Sequence, residues 1–284
     1  MLRTDHMSSE EKQAFKKLIC EYSDVFLVEG QTLSFTHEVK HEIRTVDETP
    51  VYTKSYRYPY VHRQEVRDQV AKMLKSGIIR PSYSPWSSPV WIVPKKVDAS
   101  GKRKWRMVID YRKLNEKTIA DKYPIPNISD LLDKLGKCRF FSCIDLASAY
   151  QQIEIHPNSI QKTAFSTEGG HFEYLRMPYG LMNAPATFQR LMDSVLAGLQ
   201  NDICICYLDD ILIFSKDLAS HLAATRKILD RLRKFNLKVQ LDKSEFLKNE
   251  CHYLGHVITE QGCKPDPSKI EAIQKFLSLK RQRK

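Results

Sequence analysis

The 284-residue sequence has no apolar run that approaches the roughly 20 residues needed for a membrane-spanning helix. Polar Glu10, Glu11 and Lys12 stand where a secretory signal would carry its apolar segment, so we expect an intracellular protein. Its seven cysteines form no C-x-x-C pair, which disfavours a zinc site and fits reduced thiols. The length predicts one large domain or two smaller ones, and the sequence contains no internal repeat or low-complexity linker.

Acidic residues are fewer than basic ones: the sequence has 34 Asp and Glu against 45 Lys and Arg, which gives a formal net charge of +11. This surplus favours a polyanionic partner, nucleic acid first and an acidic membrane surface second, although ordinary solubilising charge gives the same number. Six cations fall in one predicted hairpin around Gly101, and we interpret that hairpin as facing phosphates rather than as a solvated loop. They are Lys95, Lys96, Lys102, Arg103, Lys104 and Arg106.

Helical and strand patterns alternate irregularly along the chain. Apolar spacing predicts helices over 9–22, 63–76, 127–135, 184–199 and 217–235, and from 268 onward. Strands are predicted within 140–150 and at 203–214, 237–246 and 251–258, among others. Because these elements follow no regular βα order, the pattern favours an α+β fold over a doubly wound α/β fold.

The stretch CYLDDILIF, residues 206–214, places two aspartates inside an apolar run. Burial of two ionised carboxylates is costly unless a cation neutralises them. We interpret the run as two strands joined by a tight, strained turn at Leu208 and Asp209, because the turn lacks the usual Asn-Gly or Asp-Gly signal. A third acid, Asp145, ends the apolar strand FFSCI. The alternative is an exposed Asp-Asp turn and an unrelated strand-capping Asp.

If these strands are neighbours, three carboxylates converge at one place. Oxygen donors without histidine or thiolate suit hard ions such as Mg²⁺ or Mn²⁺. Two such ions roughly 3.5–4 Å apart stabilise the attacking and leaving oxygens of an in-line phosphoryl displacement. The sequence therefore predicts a metal-dependent phosphoryl-transfer site at Asp145, Asp209 and Asp210. The exposed-turn alternative stays open at this point.

YLDD within ICYLDDILIFS resembles the catalytic box of reverse transcriptases. Six further stretches resemble the same family in the same order, and together they span about residues 50–270: SYSPWSSPVWIVPKK, RMVIDYRKLNEKTIADKYPIP, FFSCIDLASAYQQI, KTAFST, MPYGLMNAPATFQRLM and HYLGHVITEQG. The pattern is similar to the polymerase of gypsy-type long-terminal-repeat retrotransposons, close to those of insects. Ala149, Gln151 and Tyr179 depart from it, because Gly, His and Phe are usual there, and they leave nucleotide preference and fidelity open.

The resemblance implies a right-hand polymerase fold. It predicts an N-terminal helix and lead-in over 1–49, fingers from 50–119 and 153–183, and a ferredoxin-like palm from 120–152 and 184–261. Residues 262–284 would begin a thumb that is cut short and end in a basic tail. The family's connection and RNase H regions are expected to be absent from this chain.

Site residues also follow from the resemblance. Asp145, Asp209 and Asp210 match the metal-binding aspartates, which implies two Mg²⁺ ions or Mn²⁺. Arg106 matches the arginine that grips the triphosphate, Tyr150 the aromatic gate that crowds a ribose 2′-hydroxyl, and Tyr179 the residue lining that pocket. The remaining matches are looser, because a surface lysine or a strand end would look the same. They are Lys95 or Lys96 for a fingers lysine, Lys243 for a lysine that protonates pyrophosphate, and Tyr253, Leu254, Gly255 and His256 for the primer grip.

These matches imply an RNA-directed DNA polymerase of a retrotransposon Pol polyprotein, with a primed RNA or DNA template and dNTPs as partners, no membrane partner, and virus-like particles in the cytoplasm as its location. Two alternatives remain. One is a nucleic-acid-binding fragment that cannot extend a primer; the other is an RNA-dependent RNA polymerase, which the aromatic Tyr150 disfavours. Subunit arrangement, primer identity and the extent of the natural product do not follow from the sequence.

Overall fold

A computed structural model describes residues 4–28, 30–94, 105–135 and 138–267. The helices are α1 (Ser9–Glu21), α2 (Arg63–Lys75), α3 (Arg112–Lys117), α4 (Ile128–Leu132), α5 (Ala184–Val195) and α6 (Leu218–Lys234). The strands are β1 (Lys40–His41), β2 (Ile79–Pro81), β3 (Ser88–Pro94), β4 (Trp105–Ile109), β5 (Phe140–Asp145), β6 (Glu154–Ile155), β7 (Phe165–Thr167), β8 (Gly170–Tyr174), β9 (Cys204–Tyr207), β10 (Asp210–Ser215), β11 (Glu245–Lys248), β12 (Glu250–Tyr253), β13 (His256–Thr259) and β14 (Gly262–Pro265). Within these ranges, none of the helices combines the length and the apolarity that a membrane crossing requires.

The first of two compact units takes residues 1–29, 125–147 and 192–284. Its main sheet has the order β11-β5-β10-β9 with every pair antiparallel, and a second antiparallel sheet has the order β12-β13-β14. Strand β10 reads as a continuous apolar run because both of its faces are covered. Leu212 belongs to a buried cluster with Phe141 and Tyr253, while α6 packs against β10.

The second unit takes residues 30–124 and 148–191. Its five-stranded sheet has the order β2-β8-β7-β3-β4, and helix α2 packs against it through buried Val66 and Val70. The ring of Phe165 lies 5.9 Å from that of Phe172 and 5.3 Å from that of Tyr174, measured between centroids, and these rings form part of the core. The sheet positions β4, which carries Arg106, at its edge.

Mixed helices and sheets confirm the predicted α+β class, but two predicted strands are wrong. Residues 237–246 form no strand before Glu245; Val239 makes only isolated bridges to Phe26 and Leu146, so the apolar alternation there reflects burial without a ladder. Residues 251–258 are not one strand but the β12–β13 hairpin, whose turn residues Leu254 and Gly255 have φ of 48° and 80°. Two successive positive φ angles are what a two-residue hairpin turn requires.

Predicted helix ends and domain limits differ in smaller ways. Helix α5 ends at Val195 rather than at 199, and the predicted helix at 127–135 becomes α4 followed by a 3₁₀ turn at Asp133–Leu135. The compact units change at residues 30, 125, 148 and 192, near the limits given for fingers and palm, which stay predictions. The basic loop at 95–104 and the predicted helix from 268 lie outside the described residues.

A buried histidine joins α6 to the main sheet of the first unit. His221 Nε2 lies 2.7 Å from Ser142 Oγ, and Nδ1 lies 2.8 Å from Ser215 Oγ. Since Ser215 Oγ donates to the carbonyl of Asp217 (3.1 Å), it accepts the Nδ1 proton, whereas Ser142 Oγ accepts from the amide of Leu247 (3.0 Å) and donates to Nε2. Burial lowers the pKa of His221 to about 4, so the ring is neutral near pH 7 and these contacts suit its Nδ1–H tautomer.

We expect this histidine to make the first unit sensitive to acid. The unfolded state takes up the proton near pH 6.5 and the folded state only near pH 4, so the stabilisation is complete above pH 6.5 and is lost as pH falls. Between pH 7 and pH 5 the loss is about 2 kcal/mol. Urea unfolding of the wild type and His221→Gln at both pH values measures it; equal losses in the two proteins would contradict this assignment.

Candidate active site

The two neighbouring aspartates lie at the turn between β9 and β10. Tyr207 ends β9 and pairs with Asp210, which begins β10, so Leu208 and Asp209 are the two turn residues, as predicted. Leu208 has φ of 54°, in the left-handed region that glycine normally occupies. The thiol of Cys206 donates a hydrogen bond to the Leu208 carbonyl (3.2 Å), which helps to hold this conformation. The structure thus confirms a turn with a strained non-glycine residue beside the two neighbouring aspartates.

The third acid lies directly across the sheet from this turn. Strands β5 and β10 are antiparallel in a register that places Asp145 opposite Asp210. Directly opposite side chains share a face with their Cβ atoms about 4.5–5.5 Å apart, and like charges in such a pair repel. Strand pairing therefore brings Asp145 and Asp210 together, whereas Asp209 lies in the adjoining turn and the convergence of all three acids stays a prediction.

The pKa values of Asp145 and Asp210 are raised by dehydration and by this crowding. Although Asp210 reaches solvent, the protein atoms around its carboxylate exclude water, and this dehydration together with the charges of Asp209 and Asp145 raises the pKa of Asp210 to about 6. Dehydration, together with the charges of Asp209 and Asp242, also raises the pKa of Asp145, even though Lys243 opposes the shift. The Nζ atom of Lys243 lies 3.9 Å from Asp145 Oδ1, at the outer limit of an ion pair.

The carboxylates fit a divalent cation by donor type and charge. All three offer oxygen donors, and two of them are partly dehydrated and repel one another, which a hard cation would relieve. In the part of the chain that the structure describes, no three acidic, histidine or cysteine side chains already have their donor atoms gathered around one point. The candidates to hold the ion are still Asp145, Asp209 and Asp210, because the register of β5 and β10 pairs the first with the last and Asp209 directly precedes Asp210.

A cavity of about 260 Å³ opens beside these acids and is lined by Asp145, Asp210, Lys243 and Tyr253, among others. Tyr253 is only 3% exposed, and its hydroxyl donates to the backbone carbonyl of Asp210 at 3.1 Å. The β12–β13 turn that follows contains Leu254 and Gly255, and His256 pairs back with Tyr253. Tyr253 thus supports the acidic turn from inside, and nucleic-acid contact by residues 253–256 stays a prediction.

A second group of predicted residues meets within the second compact unit. The rings of Tyr150 and Tyr179 are stacked with centroids 5.0 Å apart and planes 29° apart, and Phe188 lies 5.5 Å from Tyr150 on centroids. The guanidinium carbon of Arg106 lies 6.0 Å from the Tyr179 ring centroid, a cation–π distance. Three of the predicted substrate-binding residues are therefore neighbours, whereas Lys95 and Lys96 lie outside the described residues.

Sequence reasoning missed two supporting contacts. Tyr253 was predicted as a nucleic-acid contact with a buried strand end as the alternative, and its bond to Asp210, 43 positions away, was not predicted. Asn115 was not considered at all, although its side chain holds the loop that carries Tyr179. The one local signal for Asn115 is a short amide side chain inside a helix, where such residues are disfavoured unless they bond elsewhere.

Residues 93–258 match the family model "Reverse transcriptase (RNA-dependent DNA polymerase)", which covers more than half of the chain. The chain therefore belongs to the reverse transcriptase family, and the resemblance inferred from its motifs is confirmed.

Curated relatives agree. The chain is 52% identical over 274 residues to the Retrovirus-related Pol polyprotein from transposon 297 of Drosophila melanogaster, an alignment that covers 96% of this chain and 26% of the relative. It is 42% identical over 266 residues to the corresponding polyprotein from transposon gypsy of the same organism. This alignment covers 93% of this chain and 26% of the relative. The chain thus spans about a quarter of the length of these relatives.

Solved structures show the same fold. A foamy viral protease-reverse transcriptase in complex with RNA/DNA hybrid superposes with a TM-score of 0.85 at 26% identity, covering 94% of this chain and 35% of that chain. The foamy viral protease-reverse transcriptase in complex with dsDNA gives a TM-score of 0.84 at 28% identity. The match covers 94% of this chain and 55% of that chain. The α+β polymerase fold predicted from sequence is confirmed.

Tyr253→Phe tests the internal role of this tyrosine. The substitution keeps the buried ring but removes one hydrogen bond to the Asp210 carbonyl, so we expect the free energy of unfolding to fall by about 1 kcal/mol. Urea denaturation measures the change. His252→Gln, at the exposed neighbouring position, is the matched control and should leave stability within experimental error. Equal stability of Tyr253→Phe and the wild type would show that the hydroxyl does not support the turn.

Proposed function

We propose that this chain catalyses RNA-directed DNA synthesis, adding dNTPs to a primer 3′-hydroxyl on an RNA or DNA template during retrotransposon replication. The observation that carries the proposal is the pairing of Asp145 with Asp210 across β5 and β10, with Asp209 in the adjoining turn. Membership in the reverse transcriptase family and the names of the most similar relatives support the same activity.

The three aspartates are assigned to hold two Mg²⁺ ions, or Mn²⁺ in their place. When bound, these ions would supply activation of the primer hydroxyl and neutralisation of the triphosphate. The chain's contribution is to hold three carboxylates on neighbouring strand ends, where their ionised forms repel and a cation is favoured.

The transfer itself is a displacement at phosphorus. The primer 3′-oxygen forms a bond to the α-phosphorus of the dNTP, the bond to the bridging oxygen breaks, and pyrophosphate leaves while the primer hydroxyl loses its proton. Arg106 is assigned to the triphosphate, because its exposed guanidinium offers several donors to phosphate oxygens. Lys243 is a candidate proton donor to pyrophosphate; the 3.9 Å between its Nζ atom and Asp145 Oδ1 supports this assignment.

Tyr150 is assigned to exclude ribonucleotides. Its ring is held between Tyr179 and Phe188, so it cannot turn aside without breaking both ring contacts. A rigid ring in this position would clash with a 2′-hydroxyl and leave a 2′-deoxyribose unhindered.

Neutralising each acid in turn tests the proposal. Asp145→Asn, Asp209→Asn and Asp210→Asn should each lower primer extension on poly(rA)·oligo(dT) by about a thousandfold or more, because several kcal/mol of charge stabilisation would be lost. Folding should be retained, and Asp210→Asn should be at least as stable as the wild type, since the substitution removes one of the repelling charges.

Asp202→Asn is the control, because this exposed acid precedes β9, away from the β9–β10 turn; it should keep wild-type activity. Full activity in Asp209→Asn would refute the proposal. A wild-type chain that binds primed templates of several lengths but incorporates no dNTP would instead select the non-catalytic binding fragment.

Tyr150→Val tests the ribose gate. Removing the ring should raise rNTP relative to dNTP incorporation by about tenfold or more, the scale on which pocket shape discriminates between similar substrates. Tyr150→Phe keeps the ring and should keep wild-type selectivity. Unchanged selectivity in Tyr150→Val, measured as the ratio of kcat/KM values, would assign the ring to the core alone.

A further inference from the structure

The segment that carries Tyr179 crosses the end of β4 as an irregular loop. Met177 and Leu181 are buried within it, while Tyr179 is 44% exposed. Gly180 has φ of 97°, and a β carbon built there would lie 3.4 Å from the Ile109 carbonyl and 3.5 Å from the Tyr111 ring. The loop therefore runs close against the end of the strand that also carries Arg106.

One side chain bridges this loop to the helix that follows β4. The Nδ2 atom of Asn115 donates to the Gly180 carbonyl at 2.8 Å, and its Oδ1 accepts the backbone N–H of Met182 at 2.9 Å. A carbonyl can only accept and an amide N–H can only donate, so the two partners fix the orientation of the Asn115 amide. No second orientation satisfies both contacts.

The bridge bears on Tyr179 because one of its two hydrogen bonds goes to Gly180, the positive-φ residue that directly follows Tyr179. Tyr179 precedes Gly180, and its ring stacks on Tyr150 and lies 6.0 Å from the Arg106 guanidinium carbon. Helix α3, which contains Asn115, begins three residues after β4, which contains Arg106. The amide therefore links the Arg106 strand and the Tyr179 loop over a short path within one compact unit.

We propose that Asn115 is a positioning residue for nucleotide selection: by bonding Gly180 and Met182 it fixes the Tyr179 ring against Tyr150. The part that concerns nucleotides rests on the proposed function, whereas the part that concerns the loop does not. Asn115 itself touches no substrate in this scheme. Without the Asn115 side chain, the loop loses both hydrogen bonds, and the Tyr179 ring is no longer restrained against Tyr150.

The first measurement needs no catalytic activity. Asn115→Ala removes the acceptor for the Met182 amide, so hydrogen exchange at Met182 should accelerate by about five- to tenfold in the full chain. Asn115→Asp keeps an acceptor for the Met182 amide but loses the donor to Gly180. Its exchange rate at Met182 should therefore lie between the rates of the wild type and Asn115→Ala. Asn127→Ala is the matched control: its side chain accepts one helix-capping amide, from Ser129, in the other compact unit. Unchanged exchange in Asn115→Ala would overturn the proposal.

The second measurement is selectivity. In Asn115→Ala the KM for dNTP should rise and the dNTP-over-rNTP preference should fall by about tenfold, with affinity for primed template unchanged. In a Tyr179→Ala background the same substitution should have little further effect on preference, because Asn115 acts through that ring. Additive losses in the double variant, or an equal loss in Asn127→Ala, would overturn the positioning role. Absence of incorporation by the wild type would instead refute the proposed function, and hydrogen exchange would still decide whether Asn115 holds the loop.

Discussion

Repulsion among like charges at the end of one antiparallel strand pair is the constraint on which the site depends. The apolar residues of β5 and β10 pair along their length and end in Asp145 and Asp210, so the hydrophobic core that stabilises the sheet also forces the carboxylates together. The chain supports this arrangement at a cost: Leu208 adopts a left-handed conformation, and the hydroxyl of a buried Tyr253 holds the Asp210 carbonyl. Local destabilisation of this kind is expected where charge is held ready for a cation.

The aromatic cluster of the second unit, with the arginine beside it, is held together by different interactions. There the contacts are between rings and a guanidinium, which need shape rather than charge neutralisation: Tyr150, Tyr179 and Phe188 restrain one another, and Arg106 lies over Tyr179. The polar bridge from Asn115 supplies the direction that ring contacts alone lack, because a hydrogen-bonded amide fixes the backbone at Gly180 and Met182, directly after Tyr179. In the proposed function, nucleotide selection is thereby assigned to residues other than the aspartates.

The β9–β10 turn and the pairing of Asp145 with Asp210 were predictable, because a buried run that carries Asp209 and Asp210 has few low-energy solutions and a second apolar strand ends in Asp145. The role of the three acids as a metal site stays a prediction. Prediction from sequence failed where local pattern and long-range contact diverge. The alternation around Val239 mimics a strand, although its bridges lead to Phe26 and Leu146 rather than to a ladder. The β12–β13 turn escaped notice because Leu-Gly is not a standard hairpin signal, and Asn115 because its partners lie more than 60 positions away.

The central claim is that the three carboxylates are one cation site. Its most direct test is Mn²⁺ binding to the full chain in the absence of nucleic acid and nucleotides, followed by electron paramagnetic resonance of the free ion. We expect the wild type to remove Mn²⁺ from solution, and Asp145→Asn and Asp210→Asn to do so much more weakly, because each variant lacks a charged oxygen donor. Asp202→Asn should bind as the wild type does. Equal Mn²⁺ binding by the wild type and Asp210→Asn would contradict the claim that these carboxylates act as a single site.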